Sequence, residues 1–123
     1  MLDWSRAELA EGLTCYRAGQ FFEAHEHWES VWLTLQEPEK SFLQSLIQIT
    51  AAFHHLQRGN RTGAASLLRR AYSKLARYPA DFGGIEVAPL RADVTEWLHG
   101  IESGSTAGLS DYPSIRPVEA RQD

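Results

Sequence analysis

The sequence predicts an all-α fold, a single compact bundle of about five helices followed by an extended C-terminal tail. Apolar residues recur at three- and four-residue spacing through most of the first hundred positions, which is the period of a helix that buries one face. Glycine, asparagine or proline interrupts this pattern at intervals, and no stretch shows convincing strand alternation. A chain of 123 residues is long enough for one hydrophobic core.

The first two helices are bounded by residues that start or stop helical backbone. Asp3 or Ser5 can cap a first helix, which is expected to stop at Gly19. The second helix follows directly. We expect it to end near Gln36, because Pro38 disfavours helical backbone in the residue before it.

Three further helices are predicted after Pro38. The third runs from about Glu39 to Gln57, and the fourth from Arg61 to about Arg77 with Asn60 as its cap. A loop over residues 81–84 separates them from a shorter fifth helix, whose apolar positions lie between Val87 and Ile101. Short connections predict that neighbouring helices are mostly antiparallel.

The composition changes after the fifth helix, where serine, glycine, threonine and proline become frequent. We therefore assign residues 1–103 to the helical bundle and residues 104–123 to a linker and an extended or disordered tail. Residues 112–117 can dock as an extended strip, whereas the last few residues are expected to be disordered.

Charge and cysteine content exclude several classes of function. The net charge of −4 gives no overall electrostatic case for binding nucleic acid or an anionic membrane. The single cysteine, Cys15, cannot form an internal disulfide, and the first residues lack the layout of a secretory signal, so a cytoplasmic location is expected. The longest uncharged run, residues 41–57, is too short to span a membrane.

Acidic and basic side chains are segregated along the chain. Residues 1–39 hold eight acidic and two basic side chains, whereas residues 40–80 hold seven basic side chains and none that is acidic. This predicts an acidic side and a basic side of the bundle. Two interpretations of the basic side are open: a solvated or self-associating surface, or a site that binds a phosphate or an acidic partner. Its members are Arg58, Arg61, Arg69, Arg70, Lys74 and Arg77.

The second helix carries the densest set of groups able to do chemistry. Winding it at 100° per residue places His25 and Glu29 between apolar neighbours, so we expect this pair to be at least half buried, with Glu26 at the far rim. One interpretation is a structural pair that fixes the helix in the bundle. The other is a ligand site or a divalent-metal site with His25 and Glu29 as ligands.

The third helix offers complementary polar groups. Gln48 and His55 share a polar stripe with Gln44, whereas His54 is assigned to the core. If the stripe faced the second helix, the two helices would enclose a small-ligand pocket. The alternatives are a non-enzymatic interaction module that uses the charged faces, and a metal-dependent hydrolase, which would need a third metal ligand. The candidate ligand-binding residues are His25, Glu26, Glu29, Gln48 and His55.

Three motifs resemble a known family, the small all-helical bacterial and plastid proteins catalogued as domain of unknown function 309. This resemblance implies a compact helical bundle and no established activity. Its signature positions map onto the residues His25, Glu26, Glu29 and Gln48. Ser45 stands where the family's glycine is expected. The motifs are Gly19-x-Phe21-Phe22-Glu23-Ala24-His25-Glu26-x-Trp28-Glu29-x-x-Trp32, Leu46-Ile47-Gln48-Ile49 followed by Ala51-Ala52 and His55, and Arg58-Gly59-Asn60-x-x-Gly63-Ala64-x-x-Leu67.

Overall fold

The longest helix, α3, lies between α2 and α4, while α1 packs on α2 and α5 packs on α4. A computed structural model describes residues 2–106, 108–109 and 111–118 of the chain. The predicted all-α fold is confirmed. The helices are α1 (Ala7–Arg17), α2 (Phe21–Trp32), α3 (Glu39–Gln57), α4 (Arg61–Leu75) and α5 (Val87–Ser103).

The predicted cap of α1 is wrong. The Asp3 carboxylate accepts hydrogen bonds from the backbone nitrogen and the hydroxyl of Ser5, at 3.0 and 2.6 Å. It therefore closes a local turn before the helix. The helix itself begins at Ala7 after Arg6, whose side chain makes no capping bond.

The second helix ends at Trp32, four residues before the predicted end near Gln36. The amide nitrogens of Thr34 and Leu35 bond to carbonyl oxygens only three residues back, at 2.9 and 3.2 Å. The Thr34 hydroxyl also binds the Val31 carbonyl oxygen. These contacts satisfy the last carbonyl oxygens of α2 in a tighter turn. The helix therefore ends before it reaches the residues next to Pro38.

The junction between α3 and α4 follows the prediction closely. The bounds of α3 are those expected, and the Asn60 side-chain oxygen accepts a 2.9 Å hydrogen bond from the Gly63 nitrogen, which confirms Asn60 as the cap. At its far end α4 stops at Leu75, two residues earlier than expected, because Arg77 and Tyr78 bond to carbonyls three residues back.

The predicted loop over residues 81–84 instead forms the first strand and the turn of a small hairpin. Strands β1 (Asp81–Phe82) and β2 (Ile85–Glu86) pair in antiparallel fashion. Gly83 and Gly84 both have positive φ, 59° and 78°, as a two-residue hairpin turn requires. With two residues each, the strands are too short to show an alternating pattern in the sequence.

Residues 111–118 form an extended strip against the helices, as expected for residues 112–117. The Tyr16 hydroxyl donates a 2.7 Å hydrogen bond to the Pro113 carbonyl, and the Trp97 indole donates one of 2.8 Å to the Asp111 carbonyl. Ile115 is buried. The expected disorder of the last few residues concerns positions outside the described residues, and the division of the chain at residue 103 stays a prediction.

Aromatic side chains from α1, α2 and α3 fill the centre of the core. Trp28 is fully buried, meets the Trp4 ring edge-on at 5.7 Å, and donates a hydrogen bond to the Leu9 carbonyl. The Trp28 indole fills the space beside Gly12, where a methyl group would overlap it. This packing fixes the rotation of α2, and with it the direction in which His25 points. Within the described residues, no helix is both long and apolar enough to cross a bilayer.

Candidate functional site

His25 and Glu29 pair with each other on α2. The Nε2 atom of His25 lies 3.4 Å from the Oε2 atom of Glu29, one helical turn later. The His25 side chain is 32% exposed, but that of Glu29 is 52% exposed. The expectation that both would be at least half buried is therefore wrong for Glu29, which lies one turn beyond the groove that His25 lines with α3.

His25 also forms part of a groove between the start of α2 and the end of α3, which we call the histidine groove. Its volume is about 170 Å³. The Phe22 ring is 51% exposed and lies beside two imidazoles, with ring centroids 6.5 Å from His25 and 5.7 Å from His54. The lining residues are Phe21, Phe22, His25, Ala51, His54 and His55.

His54 is a functional candidate that the sequence analysis assigned to the core. It is half-buried and has no hydrogen-bond partner among the described residues, and its ring packs beside Phe22. A helical wheel of α3 placed it between Leu43 and Ile47. The wheel could not show that the first turn of α2 brings Phe22 beside this histidine. The sequence carried no signal for this contact, because the exposure of Phe22 beside His54 is a property of the packed helices.

His55 is held in one tautomer by Asn60. The Asn60 oxygen already accepts from Gly63, so its amide nitrogen, 3.1 Å from the Nδ1 atom of His55, must donate to that atom. Neutral His55 therefore carries its proton on Nε2. It can offer a hydrogen-bond donor to a ligand. Metal binding through Nε2 would instead require the proton on Nδ1, and the hydrogen bond from Asn60 would be lost.

Gln48 does not join the other candidates. It lines a shallow groove with the basic side chains of α4, on the opposite flank of α3 from the histidine groove. Its Oε1 atom is buried without a hydrogen-bond partner in the described part of the chain. The four residues His25, Glu29, Gln48 and His55 therefore do not form one pocket. The polar stripe of α3 lies between α2 and α4, so Gln48 faces α4 while His55 lines the groove with His25.

The remaining acidic candidate on α2 is exposed. Glu26 points to solvent and has no ion-pair partner among the described residues, as its place at the rim predicted. His27 approaches α1, where its Nδ1 atom lies 2.5 Å from Oε2 of Glu8. That contact joins α1 to α2 and leaves His27 out of the groove.

The basic side chains of α4 divide into two groups. Arg61 donates a 2.7 Å hydrogen bond to the Ile101 carbonyl, and Arg69 pairs with Glu102, so these two hold α5. Arg70 and Lys74 on α4, and Arg77 just after it, lie with Gln48 along the shallow groove, which Arg69 also lines.

The donor set for a metal ion is small. Across residues 2–106, 108–109 and 111–118, no group of three or more histidine, cysteine, aspartate or glutamate side chains is placed to hold one ion. His25 and Glu29 supply two donors, whereas a catalytic zinc site uses three protein ligands.

The thiol of Cys15 is disfavoured as a nucleophile. Desolvation raises its pKa, and the carboxylates of Glu23 and Glu11 raise it further. A thiol with a raised pKa holds its proton at neutral pH, so it is a poor nucleophile.

The fold and the groove define a small helical-bundle protein with a candidate ligand site between two helices. A family model described as "Domain of unknown function (DUF309)" matches residues 9–67, which include every residue that lines the histidine groove. The chain is therefore similar to this family over these residues, as its motifs indicated.

Among curated proteins, an uncharacterized protein of Aquifex aeolicus (strain VF5) is 33% identical to this chain over 102 residues. The match covers 82% of this chain and 31% of the relative. The chain thus spans about a third of the length of that relative.

Proposed function

We propose that the histidine groove binds a small molecule built on a single aromatic ring. The observation that carries this proposal is the exposed Phe22 ring, flanked by the imidazoles of His25 and His54 over a space of about 170 Å³. An apolar cavity of about 150 Å³ is large enough to hold benzene. Flat rings on the wall offer such a ligand stacked and edge-on contacts.

The polar requirement of the ligand follows from His55. Because its Nδ1 atom accepts from Asn60, its Nε2 atom donates, so the ligand is expected to carry an acceptor such as a carboxylate or a carbonyl. The combination of one apolar wall and one oriented donor is typical of small-molecule sites. The proposal is one of binding and assigns no reaction.

The metal version of this proposal has less support. His25 and Glu29 are two donors already in contact, and the Asn60 bond opposes ligation by His55. A metal-dependent hydrolase with Glu26 or Glu29 as base would need a third ligand as well. We therefore favour an organic ligand.

A second function, a non-enzymatic interaction module, is supported by a separate observation. Arg70, Lys74 and Arg77 line one groove with Gln48, and Arg69, which pairs with Glu102, lies in the same groove. Cations that form no ion pair within 4 Å among the described residues favour an acidic partner. For either function we propose a cytoplasmic location, which the lone Cys15 supports.

A binding measurement with benzoate tests the ligand proposal. Benzoate supplies one ring and one acceptor, and its affinity would be measured by NMR titration on wild-type protein and on the variants Phe22→Ala and His54→Ala. We expect each variant to weaken binding at least about tenfold, which corresponds to roughly 1.4 kcal/mol. Cyclohexanecarboxylate, which lacks the flat ring, should bind more weakly than benzoate.

The matched control is His99→Ala, since His99 is exposed on α5 and far from the groove in the fold. This variant should bind benzoate as the wild type does. Equal weakening in all three variants, or shifts that spread over the whole surface, would place the binding elsewhere and refute the proposal.

A further inference from the structure

The outer edge of α2 carries an exposed line of residues at helical spacing. Phe22, Glu26, Glu29 and Leu33 follow one another at intervals of four, three and four, so they lie along one edge. Phe22 is 51% exposed and Leu33 is 67% exposed, the two largest values among large apolar side chains of the described residues. The line is thus acidic in its middle and apolar at both ends.

A complementary line runs along α4. Arg70 and Lys74 lie four residues apart on one edge of α4, and Arg77 follows in the turn after the helix. All three line the groove beside Gln48 of α3. None of the three has an ion-pair partner within 4 Å in the part of the chain that the structure describes. The acidic line and the basic line therefore flank the same helix, α3, on opposite sides.

The direction of the helices makes the two lines match under a two-fold rotation. Phe22 at the start of α2 contacts His54 near the end of α3, while Lys40 at the start of α3 lies over Trp32. The second helix is therefore antiparallel to α3. The fourth helix is antiparallel to α3 as well, because a short turn joins the two. A two-fold axis that runs outside the bundle, parallel to α3 and over its polar stripe, lays α2 of one copy over α4 of the other, with both helices in the same direction.

We propose that this face joins two copies of the chain into a closed dimer. Glu26 and Glu29 of each copy oppose Arg70 and Lys74 of the other, and the contact occurs twice because the interface is isologous. The charges supply orientation, and burial of the exposed Phe22 and Leu33 supplies apolar area. This inference rests on the interaction-module alternative. It shares Phe22 with the ligand proposal, so the dimer contact and a ligand in the histidine groove would compete for that ring.

A charge exchange tests the arrangement. One variant carries Glu26→Lys and Glu29→Lys, and the other carries Arg70→Glu and Lys74→Glu. Sedimentation equilibrium should find wild-type dimers, while each variant alone places like charges across both contacts and dissociates at least about tenfold more readily. Mixed in equal amounts, the two variants restore opposite charges at both contacts and should form a dimer.

The control variant carries Glu11→Lys and Glu96→Lys, which makes the same change of net charge on exposed positions of α1 and α5. It should remain dimeric, and circular dichroism of all variants checks that they are folded.

A monomeric wild type, a mixture that stays monomeric, or variants that dimerise alone would overturn the proposal. Open-ended polymers in place of dimers would refute the two-fold arrangement. If the wild type is monomeric, a different acidic partner of the basic line would remain testable, and the ligand proposal would be unaffected.

Discussion

His25 and Glu29 lie one turn apart on α2 with Nε2 and Oε2 separated by 3.4 Å, and more than half of the Glu29 side chain is exposed. Exposed pairs of this kind typically contribute less than about 1 kcal/mol to stability. We therefore expect Glu29→Ala to lower the free energy of unfolding by less than about 1 kcal/mol, a smaller loss than a buried pair would give. Urea unfolding measures it.

The control for Glu29→Ala is Glu26→Ala, which removes a neighbouring carboxylate that has no partner among the described residues. This change should leave stability within about 0.5 kcal/mol of the wild type. A loss of about 3 kcal/mol or more for Glu29→Ala would show that His25 depends on this carboxylate in a buried setting.

Tyr16 predicts a loss of stability in alkaline solution. Burial raises the pKa of its hydroxyl well above the usual value of 10.0, and the nearby Asp93 and Tyr112 add to the shift. Because the folded pKa exceeds the unfolded one, the stabilising contribution is complete below about pH 10 and is lost as the pH rises further. The loss approaches roughly 1.4 kcal/mol per pH unit for this one group.

Tyr16→Phe should therefore reduce the slope of stability against pH above about pH 10 by nearly one proton. It also removes the hydrogen bond to the Pro113 carbonyl, so stability at neutral pH should fall by about 1 kcal/mol. Tyr72→Phe, at an exposed position, is the control and should leave both quantities unchanged. An unchanged alkaline slope in Tyr16→Phe would contradict the account.

Gly12 is required by the position of the Trp28 indole, since an added Cβ would overlap that ring. Gly12→Ala should lower the free energy of unfolding by about 1–3 kcal/mol, although alanine is the better helix former. Thermal unfolding measures the effect. Gly108→Ala is the control, because nothing lies within 4 Å of its added Cβ. A stabilised Gly12→Ala variant would show that Trp28 can move at little cost.

Asn60 has two separable tasks, as the cap of α4 and as the donor to His55. Asn60→Asp keeps the capping oxygen but loses the donor, so stability should change by less than about 1 kcal/mol. The His55 proton should then move toward Nδ1, which imidazole ¹⁵N shifts report. Asn60→Ala loses both and should cost about 1 kcal/mol. If the wild-type protein already carries the proton on Nδ1, the orientation assigned to Asn60 is wrong.

Local signals in the sequence were sufficient for most of the fold. The bounds of α3, the Asn60 cap and the extended strip around Pro113 each depend on a few adjacent residues, and each was predicted. The hairpin at Gly83 and Gly84 was missed because two-residue strands carry no periodicity. The family was recognised from motifs in the first two-thirds of the chain.

The candidate site was predicted only in part, for a geometric reason. A helical wheel gives the direction of a side chain within its own helix but does not say which neighbour it meets. Gln48 therefore appeared to face His25, whereas it lies beside α4, and His54 appeared to belong to the core, whereas it lines the groove with Phe22. The exposure of Glu29 depends on how far α3 covers α2, which is equally a property of the packed helices.

The central claim is that a single-ring ligand lies in the histidine groove beside Phe22. Intermolecular nuclear Overhauser effects between benzoate and the protein measure this directly. We expect contacts from the benzoate ring protons to the rings of Phe22 and His54, with none to His99 on α5. Contacts confined to side chains outside the groove, or none at benzoate concentrations that saturate the titration, would contradict the claim.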